Sequence, residues 1–326
     1  MGIILLAKEH NEDEKAMRDV YCETLMDIAK TNPNLIVMDA DLMAAVGVSP
    51  FAKAYPERTI NCGIQEANMI GVAAGLSALG KIPFAHTFAT FATRRACDQV
   101  FLSGAYAGLN VKIIGSDPGV TASLNGGTHM PFEDIGIMRT IPTMTIIEPT
   151  DAVMLENLVR QAADQYGMFY IRLSRKKMVK IFEKGSVFTV GKGIILKEGR
   201  DVTIMAAGIC VADSLKAADM LEKEGISCRV VNLFTIKPID AELIVKCANE
   251  TGAIVTAENH NTMNGLGSAV AEVLVENTPV PMERIGVNDE FGEVGTVDYL
   301  KERFSMTPND IAAKARKAFS RKKGRK

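Results

Sequence analysis

Short runs of apolar and β-branched residues recur along the chain, each followed by a turn and then by a stretch with helical spacing. The runs fall at residues 35–38, 112–114, 145–147, 168–173, 202–205, 229–233 and 253–256, and in the second half the helical stretches between them fall at 211–224, 240–249 and 266–276. Strands that alternate with helices predict an α/β fold with largely parallel sheets. In such sheets ligands sit beyond the carboxyl ends of the strands. The predicted strand exits read Asp39-Ala40-Asp41, Gly115-Ser116-Asp117, Glu148-Pro149-Thr150-Asp151 and Ser174-Arg175, all rich in charge and turn formers.

A basic stretch of weak periodicity, residues 175–184, runs into a glycine-spaced segment, 185–199, and a fresh strand begins near Val202. This break predicts a first domain over 1–180, a linker over 181–200 and a smaller second open-sheet domain over 201–326 with a basic tail. No internal repeat of fixed period is present.

Composition narrows the class. With 326 residues, 47% of them hydrophobic, the chain can bury a real core, and its length favours two domains. A formal net charge of -2 gives no global attraction to nucleic acid or to an anionic membrane. Apart from the basic stretch at 175–184, positive charge gathers at residues 321–326, which read as a solvated end. The apolar start at 3–7 is cut off by Lys8, Glu9 and His10, too short for a signal segment, and no run approaches the roughly 20 apolar residues of a membrane span. Six cysteines are spread out with no C-x-x-C pair, which suits reduced thiols and a cytoplasmic location.

The most unusual segment is Asn61-Cys62-Gly63-Ile64-Gln65-Glu66-Ala67-Asn68-Met69, leading into a helical stretch over 70–79. There Gly71, Ala74, Gly75 and Ala78 share one helix face and nearly strip it of side chains. Glycine lowers helix propensity by about 1 kcal/mol relative to alanine, so a packing reason is expected, within the domain or across a subunit interface. Glu66 stands at the start of this helix, where alone it reads as a capping residue. Three further segments add chemistry. Thr87-Phe88-Ala89-Thr90-Phe91 places two aromatics three apart, which predicts a shared helical face and a stacking wall. Asn125-Gly126-Gly127-Thr128-His129 sets one of four histidines after a glycine turn, and Ser174-Arg175 offers an anion-binding fork.

In this order, Gly63-Ile64-Gln65-Glu66-Ala67-Asn68-Met69, Thr87 to Phe91, Gly126-Gly127-Thr128-His129 and Leu173-Ser174-Arg175 resemble the pyrimidine-binding domain of transketolases. The second half, with Asn232-Leu233-Phe234-Thr235-Ile236-Lys237-Pro238 and Glu258-Asn259-His260, is similar to the transketolase C-terminal domain. The resemblance implies a thiamine diphosphate enzyme that moves a two-carbon ketol unit from a ketose to an aldose. Glu66 would hydrogen-bond the aminopyrimidine and promote its imino tautomer, Phe88 and Phe91 would pack on that ring, and Asp41 and Leu42 would lie beside the thiazolium. His129 would bind substrate hydroxyls and move their protons, while Arg18, Ser174 and Arg175 would hold a terminal anion.

The sequence departs from the family where Ala45 and Ser116 replace a serine and a histidine of the phosphate site, and where Asn125 replaces an acidic residue reading hydroxyl configuration. Ser116 and Asn125 therefore stand as altered substrate contacts, and a sulfonated or differently shaped sugar becomes an expected substrate. The Gly-Asp-Gly motif that holds Mg²⁺ and the diphosphate is absent from the sequence, and only seventeen residues precede Arg18. A separate partner chain is thus expected to supply the metal ligands, two copies of each chain joining with self-association across the pyrimidine-binding domain. Two other functions fit less well: the beta subunit of a 2-oxo acid dehydrogenase's decarboxylating component, and a non-catalytic partner subunit.

Overall fold

The computed structural model describes residues 3–324. Among them twelve strands form two sheets: β1 Leu35–Asp39, β2 Thr59–Asn61, β3 Ile82–Phe88, β4 Lys112–Ser116, β5 Thr145–Ile147, β6 Phe169–Leu173, β7 Ile194–Lys197, β8 Val202–Ala206, β9 Cys228–Asn232, β10 Thr235–Lys237, β11 Ile254–Asn261 and β12 Met282–Val287. The first sheet has the order β10-β5-β6-β4-β3-β1-β2 and the second β12-β11-β8-β9-β7. Every neighbouring pair is parallel except β10 with β5 and β7 with β9. Strands β1, β4, β6, β8 and β9 are buried at every position, the mark of parallel strands with both faces covered. The expected α/β fold with mostly parallel sheets is what the chain adopts.

Several local expectations are corrected. The apolar pattern passes over β3, a central strand between β1 and β4, because Pro83, His86 and Thr87 interrupt its run. Phe88 and Phe91 do not share a helical face: Phe88 ends β3, and Phe91 opens a π-helical turn, Phe91–Arg95. Residues 181–200, the expected linker, are held at both ends. Leu6 and Glu12 bridge antiparallel to Phe182 and Val179. Asp151, which caps the helix Ala152–Asp164 through Met154 N–H, also accepts the N–H groups of Ile181 and Phe182 at 2.8 and 2.7 Å. The far end of the same segment is β7, an edge strand of the second sheet. The basic tail is partly docked, since Arg321 pairs with Glu283 at 2.7 Å and Lys322 Nζ donates to Thr251 O at 2.7 Å. Arg325 and Lys326 lie outside the described residues. Among the described residues no helix is long and apolar enough to cross a membrane.

The two sheets meet over a buried polar seam. Arg172 of β6, 1% exposed, donates to Asp134 (2.8 and 3.1 Å), to Glu148 (2.8 Å) and to the Asn259 carbonyl of β11 (2.9 Å), and Tyr170 donates to Asp134 at 2.6 Å. Asn259 also accepts Val120 N–H at 2.8 Å and donates to Pro118 O at 2.8 Å, so the second domain grips a loop of the first. His260 is buried beside it: Gly136 N–H donates to Nε2 at 3.3 Å while Nδ1 donates to Asn261 O at 2.8 Å. A ring so placed is neutral, and burial pulls its pKa down to about 4. Glu258 accepts Leu266 and Gly267 N–H at 2.6 and 2.8 Å, capping the helix Leu266–Asn277 from outside it, and burial pushes its carboxyl up to about 7.

Candidate active site

The residues singled out above gather at the carboxyl ends of β1, β3, β4 and β6. Glu66 is the first residue of the helix Glu66–Ala78 and is 4% exposed. Its carboxylate needs a partner there, and Arg95, from the π-helical turn, donates Nη1 to both oxygens at 3.1 and 3.3 Å. The Arg95 guanidinium also lies 3.8 Å from the Phe91 ring centroid. Single-turn π segments of this kind recur at functional sites, and here the turn aims Phe91 and Arg95 at one spot.

From that spot a continuous line of contacts leads to the arginines. Phe91 lies 5.1 Å from the His129 ring, His129 lies 5.7 Å from Phe88, and Phe88 and Phe91 are 6.1 Å apart, all edge-on. The Arg175 guanidinium stands 4.8 Å over Phe88. Arg175 Nη1 and Arg18 Nη1 then reach the same acceptor, the Ala45 carbonyl, at 3.5 and 3.2 Å. The site therefore has a carboxylate end, an aromatic and imidazole middle, and a cationic end. Asp41 and Leu42 edge it from the exit of β1: Asp39 Oδ1 accepts Leu42 N–H, and Asn61 Oδ1 accepts the N–H groups of Asp41 (3.1 Å) and Gly63 (2.9 Å). Asp41 takes φ +64°, the left-handed region that an aspartate tolerates better than most residues.

Three assigned residues behave otherwise. Ser116 is fully buried and donates to Thr87 O at 3.3 Å, turning away from the arginines. Asn125 is exposed at the end of the turn Gly119–Asn125, whose residues up to Ser123 are buried. Ser174, 8% exposed, accepts Lys176 N–H at 3.4 Å. In place of Ser116 the site-facing group is its neighbour Asp117, 2% exposed, whose Oδ2 accepts Arg175 Nε at 2.5 Å. Asp117 belongs to the charged strand exit already marked in the sequence. Arg95 had no such signal, because adjacent arginines in an apolar stretch read as a solvated pair. Of the small helix face Ala74 is buried, but a Cβ at Gly71 or Gly75 would meet nothing within 4 Å among the described residues, so those two glycines have no packing reason there. An interdomain cleft of about 840 Å³, lined by Lys176, Gly208 and Lys301 among others, shares Ser174 with this site but none of its aromatics, nor Glu66.

The arrangement fits an aminopyrimidine. Such a ring is planar and, protonated at N1′, presents an N–H⁺ to a carboxylate. Arg95 supplies a stand-in for those properties, a planar cation stacked on Phe91 with an N–H directed at Glu66. The residues present can therefore hold that ring between carboxylate and aromatic wall.

Residues 13–180 match the family described as transketolase, pyrimidine binding domain, and residues 191–311 match transketolase, C-terminal domain. The chain is 53% identical to the 6-deoxy-6-sulfo-D-fructose transketolase subunit of Clostridium sp. (strain MSTE9), covering 95% of this chain and 96% of the relative. It is 43% identical to a putative transketolase C-terminal section of Methanocaldococcus jannaschii, over 91% of this chain and 94% of that protein. Among solved structures, a split gene transketolase described as an inactive beta4 tetramer superposes with a TM-score of 0.87 at 46% identity, covering 94% of this chain and 99% of the other. With both family domains matched in order and near-full-length likeness to split subunits, the chain belongs to the transketolase family, as the subunit carrying the pyrimidine-binding and C-terminal domains.

Proposed function

We propose that this chain supplies the activating half of a divided transketolase site that works on a ketose with a sulfonated end. The observation that carries the reading is the buried Glu66 carboxylate, met by a planar cation stacked on Phe91. When bound, thiamine diphosphate supplies the nucleophilic carbon and the electron sink for the two-carbon unit. Glu66 would hold a proton at N1′ and share it reversibly, which a carboxyl group in a dry site can do and an amide cannot. Arg95, whose side chain is half-exposed, would swing outward at little cost and leave Glu66 and Phe91 free to hold the aminopyrimidine. Phe88 and Phe91 wall that ring, with Asp41 and Leu42 beside the thiazolium. His129, with both aromatics fixing its ring, binds sugar hydroxyls and moves their protons. Asn125, four residues before His129, would read sugar hydroxyls, and Arg18 and Arg175, with Ser174 next to Arg175 in the chain, would hold the terminal anion.

A sulfonated ketose is supported by the name of the 53%-identical relative and by the cationic end, which lacks a Ser116 contact. Mg²⁺ and the diphosphate are held by a separate partner subunit, in an assembly of two copies of each chain. Self-association across the pyrimidine-binding domain is supported by the open face at Gly71 and Gly75 and by the tetrameric solved relative. Six free cysteines support a cytoplasmic location.

The test is reconstitution. The chain alone should show no ketol transfer, and addition of the diphosphate-binding subunit should restore it. In that complex Glu66→Gln should lower turnover at least about 100-fold while the protein folds normally. Near-wild-type turnover in the variant, or full activity from the lone chain, ends the reading.

A further inference from the structure

Asp39 closes β1 on the face it shares with Val37, and His86 stands opposite it in β3 as its cross-strand partner. Both are 0% exposed. His86 Nε2 lies 3.1 Å from Asp39 Oδ2, within ion-pair reach though not aligned as a hydrogen bond. The helix Met17–Thr31 adds Tyr21, whose ring meets the His86 ring edge-on at 6.0 Å. Burial first, then Cys22 and Asp39, hold the Tyr21 phenol protonated, well above its ordinary range. Cys62, on which the Asp39 charge also acts, is kept a thiol by burial and then by Asp39. Neither group can neutralise a carboxylate, and among the described residues no cationic side chain but His86 reaches Asp39. Nine buried side-chain polar atoms lack a hydrogen-bond partner among the described residues, and four of them meet here: Tyr21 Oη, Asp39 Oδ2 and both His86 nitrogens. So many in one place ask for a role. The other carboxylate oxygen, Asp39 Oδ1, accepts Leu42 N–H, and the Asp39 carbonyl accepts Cys62 N–H at 2.9 Å, so this residue ties β1 to the turn that carries Asp41 and Leu42.

We infer that His86 is a positioning residue: by offering Nε2–H to Oδ2 it satisfies the buried Asp39 carboxylate, keeps Oδ1 turned to Leu42 N–H, and so holds the Asp41-Leu42 turn in place. The inference rests on the reading above that sets this turn beside the thiazolium. A fully buried carboxylate without a partner is costly, and it either takes up a proton or turns to another donor. Both outcomes weaken its hold on Leu42.

The test reads the lone chain and the complex separately. In the lone chain, hydrogen–deuterium exchange over residues 40–45 follows the Leu42 amide. In the complex reconstituted with the diphosphate-binding subunit, kcat and KM for the sugar donor are measured. His86→Leu should speed exchange of one amide in that segment about tenfold and lower kcat about tenfold, the scale of a hydrogen bond to a charged group. KM for the sugar should stay unchanged, because the turn faces the cofactor. His86→Gln, whose amide nitrogen stands where the ring Nε2 does, should retain most of the protection and the turnover. So should His86→Leu combined with Asp39→Asn, because the amide still offers an oxygen to Leu42 N–H and no charge is left to satisfy. A residue that merely fills space would be rescued by neither. Should His86→Leu fail to fold, His86→Asn, too short to reach Oδ2, takes its place in the same series. Unchanged Leu42 exchange in the Leu or Asn variant, or a loss that both rescues leave in place, overturns the inference. A wild-type complex without ketol transfer refutes the transketolase reading, and with it the role of the turn, whatever the exchange shows.

Discussion

Asn259 offers a direct measure of how far the second domain supports the site. Its side chain, 0% exposed, makes two bonds of 2.8 Å to the loop that leaves β4 toward His129. Asn259→Ala strands the N–H of fully buried Val120 and the carbonyl of Pro118. Each unsatisfied buried group costs about 1–3 kcal/mol, so a loss near 3 kcal/mol is expected, against a total stability of about 5–15 kcal/mol. Gly119→Ala attacks the same contact from the other side, since Gly119 has φ +54° and an added Cβ would overlap the Asn259 amide. Urea denaturation of the full chain should show a midpoint lower by about 1 M for Asn259→Ala at unchanged slope. Turnover of the reconstituted complex should fall as well, because the loop positions His129. In the double variant, removal of the amide relieves its overlap with the new methyl, though not the overlap with the Asn259 backbone carbonyl, so the combined loss should be smaller than the sum. Strict additivity, or a loss below about 1 kcal/mol for Asn259→Ala, would show that the contact does not hold the loop.

Arg172→Met should destabilise the chain by about 3–5 kcal/mol in the same denaturation assay, because Asp134 and Glu148 are left buried without their cation. Replacing Arg172, Asp134 and Glu148 together with apolar residues of similar volume should recover most of that loss. For His260 the sign runs as for any base whose folded pKa is depressed: the unfolded chain binds the extra proton, and stability falls as pH drops from about 6.5 toward about 4. The stability advantage of wild type over His260→Asn should therefore shrink across that window, by on the order of 3 kcal/mol. A pH-independent difference would show that the ring is not held neutral.

What the sequence made legible follows burial. A strand with an uninterrupted apolar run, such as β1 over Leu35 to Met38, stands out because both of its faces are covered. β3 escapes because polar His86 and Thr87 are buried within it, a tertiary decision that no local pattern carries. β7 and β10 are short edge strands whose pairing depends on distant segments. In the site, Glu66, Phe88, Phe91 and His129 are visible as motifs and do gather along one line. Asp117 and Arg95 acquire meaning only once the chain turns bring them against Arg175 and Glu66. Ser116 shows the converse: adjacent strand-end residues point to opposite sides, so a shift of one position exchanges a site contact for an internal bond.

The excursion of β10 into the first sheet bears on how the chain can be cut. Its residues Thr235–Lys237 cover the edge of β5, so a fragment ending near residue 190 would bare the backbone of a strand that is otherwise paired on one side only. Such an open edge invites pairing with other chains. Neither half is then a self-sufficient module for recombination or separate expression, and a break placed after residue 237 would preserve the first sheet at the expense of the second.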